Sequence, residues 1–321
     1  MKQHLLTMSV IEPLHVGAGE GMGAIDRPIF RERTTGYPAI PGSSIKGARK
    51  AAIVRKGSSE KNVLEAVFGI GETAGNQGCV SIPDAKILLF PARSLAGTFV
   101  WTTTLLPLLR LQESLRICNS NGGFSAAAKV GIDHMKSLLE LESLKELIST
   151  STAPVTYPEL DEKIRLNGKL VIEGFSLKPT DLDDTSGGCV KSFVDWLAEL
   201  LFPDNQPMQE FFKPRFVVLD GDTFSYLVNH RTQVDPNIKM NSRGVTEEGS
   251  LRYTEFLPAE TVLFSTVNIL KSFNGCAASK VEDFVTKELF EAESNKFLTA
   301  QLGANESTGR GFCRVHYHAG E

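Results

Sequence analysis

The chain has 321 residues and a formal net charge of −4, long enough for a large core and too acidic to coat nucleic acid wholesale. Its five cysteines are scattered without CxxC spacing, which argues against a disulfide framework or zinc knuckle and fits a reducing cytosol. No apolar run reaches the length of a membrane span, so a cytoplasmic protein with no membrane partner is expected. Charge is nevertheless uneven: residues 1–56 carry nine Lys/Arg against four Asp/Glu, or +5, which leaves −9 for the remainder. A basic site on an acidic body would give this asymmetry, and so would a random surface fluctuation.

Leu6, Met8 and Val10 alternate with Thr7 and Ser9, predicting a half-buried first strand that Pro13 ends. Gly17, Gly19, Gly21 and Gly23 follow in a GxGxGxG pattern with no helix directly after, which is not a dinucleotide fingerprint. Asp26 then stands alone beside Arg27 and Arg31. Pro41-Gly42-Ser43-Ser44 opens a helix expected to run to about Lys56, with Ser43 or Ser44 as its N-cap. Gly42-Ser-Ser-Ile-Lys-Gly lacks the spacing of a Walker loop. On this helix Ile45, Ala48 and Ala52 can face a core, while Lys46, Arg49 and Lys50 share another face at i, i+3, i+4. Glycine backbone, a helix N-terminus and lysine together make a surface for polyanions, with one carboxylate beside it.

Farther along, Gly69–Gly78 reads as a flexible turn and Val80–Phe90 as strand, turn, strand, with Asp84 in the turn. Asn119–Lys129 reads as loop, and residues 134–148 as a helix bearing Met135, Leu138 and Leu144. Residues 170–177 read as one strand. Phe193, Val194, Leu197 and Leu201 form one stripe of a helix that Pro203 ends. The polar stretch 229–249 between apolar strands predicts a projecting hairpin or a loop. A strand at Thr261–Leu270, a helix over 279–299, a glycine turn at 302–312 and a last strand at Phe312–Tyr317 complete the chain. The His316-x-His318 pair is read as solvent-exposed and not a metal site. Strand, helix, strand near the start, mirrored near the end, imply an α+β ferredoxin-like fold with inserted segments.

The glycine segment, Asp26, IPGSSIKG (40–47), FPARSLAG (90–97), EFLP (255–258) and GANESTGRG (303–311) occur in an order that resembles the RAMP superfamily of CRISPR proteins. The FPARS segment and the spacing of EFLP favour subunit four of the type III-B (Cmr) effector complex over the type III-A backbone subunit. One departure is Ala304, where the family's closing loop more often has glycine. The resemblance implies an RRM-like palm in a single domain over 1–321, with a helical insertion near 112–168 and a thumb near 229–249. It implies self-association as a filament along guide RNA, together with other Cmr-complex subunits, and cutting of single-stranded target RNA paired to the guide.

The chemistry implied is attack of a 2′-OH on its neighbouring phosphate, with Asp26 acting alongside Mg²⁺ or Mn²⁺. His15, Glu255 and Tyr253 are the other candidate catalytic residues, and Asp26 the candidate metal ligand. Gly17, Gly19, Ser43, Ser44, Lys46, Arg49, Lys50, Gly309, Arg310 and Gly311 are the candidate RNA contacts. Structural alternatives stand beside these: Asp26 paired with Arg27 or Arg31, Glu255 capping backbone groups, Tyr253 half-buried, His15 a strand-end histidine. An RNA-binding filament subunit that does not cut is the main functional alternative. A guide-precursor processing nuclease of the same superfamily is a weaker one.

Overall fold

The structure, a computed structural model, describes residues 2–57 apart from 20 and 22, then 61–69, 77–120, 126–142, 144–145, 153–159, 164–271, 276–290 and 298–318. Most of the turn expected at 69–78 and parts of the helices expected at 134–148 and 279–299 lie outside them.

Strand β1 (Lys2–Val10) is followed by an irregular segment and the short β2 (Ala39–Ile40), which feeds helix α1 (Gly42–Lys56). Only glycine fits at the start of that helix, because a Cβ on Gly42 would lie 1.8 Å from the Ile82 carbonyl oxygen. Helix α1 stops at the left-handed Gly57, whose N–H bonds back to Ile53 and Val54. Helix α2 (Lys61–Phe68), β3 (Val80–Ser81), β4 (Ala85–Arg93) and β5 (Phe99–Thr103) follow. The middle of the chain supplies α3 (Leu105–Ser120), α4 (Ala126–Leu139), β6 (Val155–Thr156), β7 (Leu170–Ile172) and β8 (Phe175–Leu177). Next come α5 (Asp184–Leu201), capped by Asp183, α6 (Gln206–Phe212), β9 (Phe216–Val218) and α7 (Gly221–His230), capped by Asp220. A hairpin of β10 (Gln233–Asn237) and β11 (Arg252–Phe256) precedes β12 (Val262–Ile269). The chain closes with α8 (Ala278–Phe284), continued by a wider turn over Val285–Leu289, then β13 (Leu298–Gln301) and β14 (Phe312–His318).

Strand order β14-β1-β12-β4, all antiparallel, with α1 between β1 and β4 and α8 between β12 and β14, is the βαββαβ ferredoxin-like arrangement. Everything from residue 94 to 261 is inserted between its second and third strands. That insertion prolongs the sheet through β5, β9 and β6, so Val155–Thr156 joins the sheet while α3 packs on it and α4 packs against α3 and α5. Among the described residues three apolar clusters hold the layers. Leu6, Met8 and Val10 meet Ile45, Ile53, Val281 and Phe284 on one face. Leu5, Phe264 and Trp101 meet Leu111, Leu138, Phe193 and Leu197 on the other. Phe90 and Val100 meet Phe224, Leu227 and the β7–β8 hairpin. Each such fully buried side chain contributes ~1.5–3 kcal/mol of burial, the main favourable term here.

Several expectations need correcting. β1 is not half-buried: neighbours pair with both its edges and helices cover both faces, so Thr7 and Ser9 are buried too. Residues 170–177 form a hairpin, turned by positive φ at Glu173 and Gly174, which closes a two-residue connection. The loop expected from Asn119 instead ends α3 at Ser120 and begins α4 at Ala126. In the polar stretch 229–249, Asn229 and His230 belong to α7, and the strand pairing with β10 lies beyond Gly249. The histidines of β14 are not exposed, because β14 sits between β13 and β1. His316 is buried, and burial together with His316 pushes the His318 imidazole down to about 3. Among the described residues no helix is long and apolar enough to cross a membrane.

Candidate functional site

The glycine-rich segment after β1 runs out and back across the base of the β10–β11 hairpin. Leu14 bridges Leu257, Gly17 bridges Ile29, and Arg27 bridges Thr254. Arg27 N–H donates to the Tyr253 carbonyl at 3.1 Å, and Glu255 N–H to the Arg27 carbonyl at 2.9 Å. The segment is thereby stitched along β11.

Glu255 fastens it. Its carboxylate is 2% exposed and accepts from Ile29 N–H at 3.0 Å, Arg31 Nη2 at 2.5 Å and Thr232 Oγ1 at 2.7 Å. A buried carboxylate is tolerated only when paired and hydrogen-bonded in this way. His15, also buried, donates Nδ1–H to the Glu255 main-chain oxygen at 2.7 Å and lies edge-on to Phe256. That bond leaves Nε2 facing Gly17. Glu255 and His15 are therefore placed to hold the segment, with Glu255 away from solvent.

Asp26 sits at the far bend of this segment, half-buried. Its Oδ2 accepts Tyr253 N–H at 2.7 Å, and its main-chain oxygen accepts Gly21 N–H at 2.9 Å. Among the described residues neither Arg27 nor Arg31 forms an ion pair with Asp26. Arg31 is spent on Glu255, the Gly36 and Val228 carbonyls and Asn229. Tyr253 contributes backbone to Asp26 and leaves its ring exposed. No three His, Cys, Asp or Glu side chains converge on a metal position among the described residues. The donor set fits Mg²⁺ or Mn²⁺ only as one hard carboxylate oxygen completed by water and substrate phosphates.

The polyanion surface on α1 differs from the expected one. Pro41 is the N-cap, without a side-chain capping bond, and Gly42 N–H donates to Asp84 Oδ1 at 2.9 Å. The helix N-terminus thus already faces a carboxylate, which suits its dipole. Ser43 is exposed and Ser44 half-buried. Lys46 Nζ donates to the Val80 carbonyl at 2.6 Å, and desolvation lowers its pKa. Arg49 does not share an open face with it. Arg49 is buried, donating to the Leu289 carbonyl at 2.8 Å and the Glu288 carbonyl at 3.3 Å, where a helical turn ends. Lys50 stays exposed beside Phe68. Gly42, Ser43, Lys46, Gly78, Ser81 and Leu270 line a cavity of about 320 Å³ here.

The closing glycine turn packs against the first one. Ala304 N–H donates to the His15 carbonyl at 2.9 Å, and Gly311 N–H to that of Pro13 at 3.0 Å. Ala304 makes this bond through backbone alone, so the missing glycine costs no contact. Gly311 has φ +81°, and a Cβ there would lie 2.1 Å from the Leu302 oxygen, so its role is close backbone approach within the protein. Gly17, Gly19 and Gly309 are exposed. Arg310 is paired with Asp235 at 2.9 Å and lies over Phe256. Asp84, Arg31, Thr232 and Asp235 were not singled out as site residues. A charged residue flanking a glycine segment was the available signal for Arg31, and nothing in the local sequence marked the others.

Fold and site together define a class: residues 7–314 match the RAMP superfamily, and the chain belongs to it. Over 320 residues it is 30% identical to the CRISPR system Cmr endoribonuclease Cmr4 of Pyrococcus furiosus, covering 98% of this chain and 95% of that protein. It is 25% identical over 276 residues to the CMR subunit Cmr4 of Saccharolobus solfataricus, 81% and 82% of the two chains. Oligomeric Cmr4 from P. furiosus superposes with TM-score 0.69 at 24% identity, over 100% and 99% of the chains. A chain of the type III-B Cmr-beta complex bound to cognate target RNA gives TM-score 0.71 at 19% identity, over 99% and 97%. Within the superfamily this is a Cmr4-like subunit of the type III-B Cmr kind.

Proposed function

We propose that this chain is an RNA-binding backbone subunit of a type III-B effector, stacking with copies of itself along guide RNA, and that Asp26 makes it a target-RNA endoribonuclease. The relationship to relatives named Cmr4 supports the assembly role. The observation that carries the cutting role is Asp26 itself. Its carboxylate is aimed by Tyr253 N–H at the bend of a glycine segment that is sewn to a projecting hairpin. Such a bend can admit a phosphate backbone closely and keep one carboxylate beside it.

In the reaction a target 2′-oxygen attacks its own 3′-phosphate and the P–O5′ bond breaks. The products are a 2′,3′-cyclic phosphate and a 5′-hydroxyl, the proton from the 2′-OH balancing the one gained by the leaving oxygen. Asp26 orients the 2′-OH and takes up its proton; Glu255, Arg31 and His15 hold the segment that carries it. A divalent cation, when present with the RNA, would neutralise phosphate charge. A second reading, an RNA-binding subunit that does not cut, rests on Asp26 joining no acidic cluster among the described residues and on one of its oxygens being already occupied.

The test is reconstitution with guide RNA and partner subunits, followed by incubation with guide-matched RNA over a Mg²⁺ or Mn²⁺ titration. Regularly spaced products with cyclic-phosphate ends support cutting. A target that is bound and left intact returns the chain to the second reading.

A further inference from the structure

Arg310 occupies a position where a phosphate contact was expected, yet its guanidinium is already engaged. Nη2 donates to Asp235 Oδ2 at 2.9 Å, and the guanidinium lies 5.2 Å from the Phe256 ring centre. Its backbone is fixed on both sides: Arg310 N–H donates to the Asn305 carbonyl at 3.2 Å, and the Arg310 carbonyl accepts from Gln301 Nε2. Asp235 is equally constrained, since Gln233 Nε2 bonds both of its carboxylate oxygens at 3.0 Å. The two side chains are about 30% and 29% exposed, so water screens the pair only in part.

Asp235 lies on β10, opposite Thr254 of β11, and Thr254 is the residue that Arg27 bridges. A continuous path therefore links the closing glycine turn, through Arg310 and Asp235, across the hairpin, to the backbone next to Asp26. We propose that the Asp235–Arg310 pair is a strut that fixes the angle of the β10–β11 hairpin to the palm, and through it the position of Asp26. Both are positioning residues. The strut is a mechanical device, and its effect on cutting rests on the function proposed above.

Two readouts keep the strut and that function separate. In the assembled complex, spin labels at Glu248→Cys on the hairpin and Asn62→Cys on helix α2 of the palm, with Cys189 and Cys276 replaced by serine, report the hairpin angle without any cutting. Arg310→Ala and Asp235→Ala should each broaden the distance distribution and slow single-turnover target cutting by about tenfold, since small misplacements of reacting groups are expensive. RNA affinity should stay within about twofold. The charge swap Asp235→Arg with Arg310→Asp should restore a narrow distribution and most of the rate. A narrow distribution in both single variants would overturn the strut. So would a loss of RNA affinity in Arg310→Ala alone, with a salt slope lower by about one, because that identifies a phosphate contact. If the wild-type complex cuts nothing, the endonuclease reading fails while the label distances still decide the strut.

Discussion

At the scale of single residues, the site depends on which polar groups are already taken. Lys46 keeps its place on the α1 surface but spends a hydrogen bond on Val80 and loses hydration, which lowers its pKa. A phosphate in the adjoining cavity would favour its charged form. Lys46→Ala should therefore lower the slope of log affinity against log salt for guide RNA by about one, without sequence preference. Filter-binding titrations at several salt concentrations check this, and an unchanged slope would contradict it. His318 gives a second test, independent of RNA. Its folded pKa of about 3 lies below the ordinary value of 6.5, so between those values the unfolded chain binds a proton that the folded chain refuses. Stability rises with pH through that window and is lost on acidification from 6.5 toward 3. His318→Gln, which keeps a partner for Thr7, should flatten the fall in the urea midpoint between pH about 7 and about 5.

At the scale of elements, the two glycine turns and the hairpin are one construction. Gly311→Ala must place a methyl against the Leu302 carbonyl in a left-handed conformation, and should destabilise the chain by about 1–3 kcal/mol, measured by urea or thermal unfolding. A wild-type midpoint would show that the turn relaxes. Replacing the hairpin tip, residues 238–251, with a short turn should disturb the regular spacing of target cuts. Exposed Ile238, Met240, Val245 and Leu251 stand there with no core to fill, and cuts at unchanged positions would remove the tip from that role. Much of this architecture was legible in advance. Alternation in β1 and the glycine-proline punctuation around α1 gave those elements directly, and the polar run after residue 229 marked the stretch that holds most of the β10–β11 hairpin. A capping role for Glu255 was among the readings, but its partners were not legible, because it meets Ile29 and Arg31 across 226 and 224 residues and no spacing rule reaches that far. Arg49 misled for a related reason. Helical spacing sets it beside Lys46 and Lys50, and only the turn before Phe290, 240 residues later, decides that it is covered.

At the scale of the whole molecule, a ferredoxin-like sheet carries its large insertion between its second and third strands. Both glycine turns and the hairpin base meet near one end of β1. Under the proposed function, that arrangement sets Asp26 beside the hairpin in each copy and predicts one cut per copy. The most direct measurement compares Asp26→Asn with wild type in equally assembled complexes, following cleavage products and target affinity together. The substitution keeps size and an acceptor oxygen for Tyr253 N–H while removing the charge, so folding and assembly should hold. The account predicts target cutting abolished, with affinity unchanged or slightly tighter; full cutting by Asp26→Asn would contradict it.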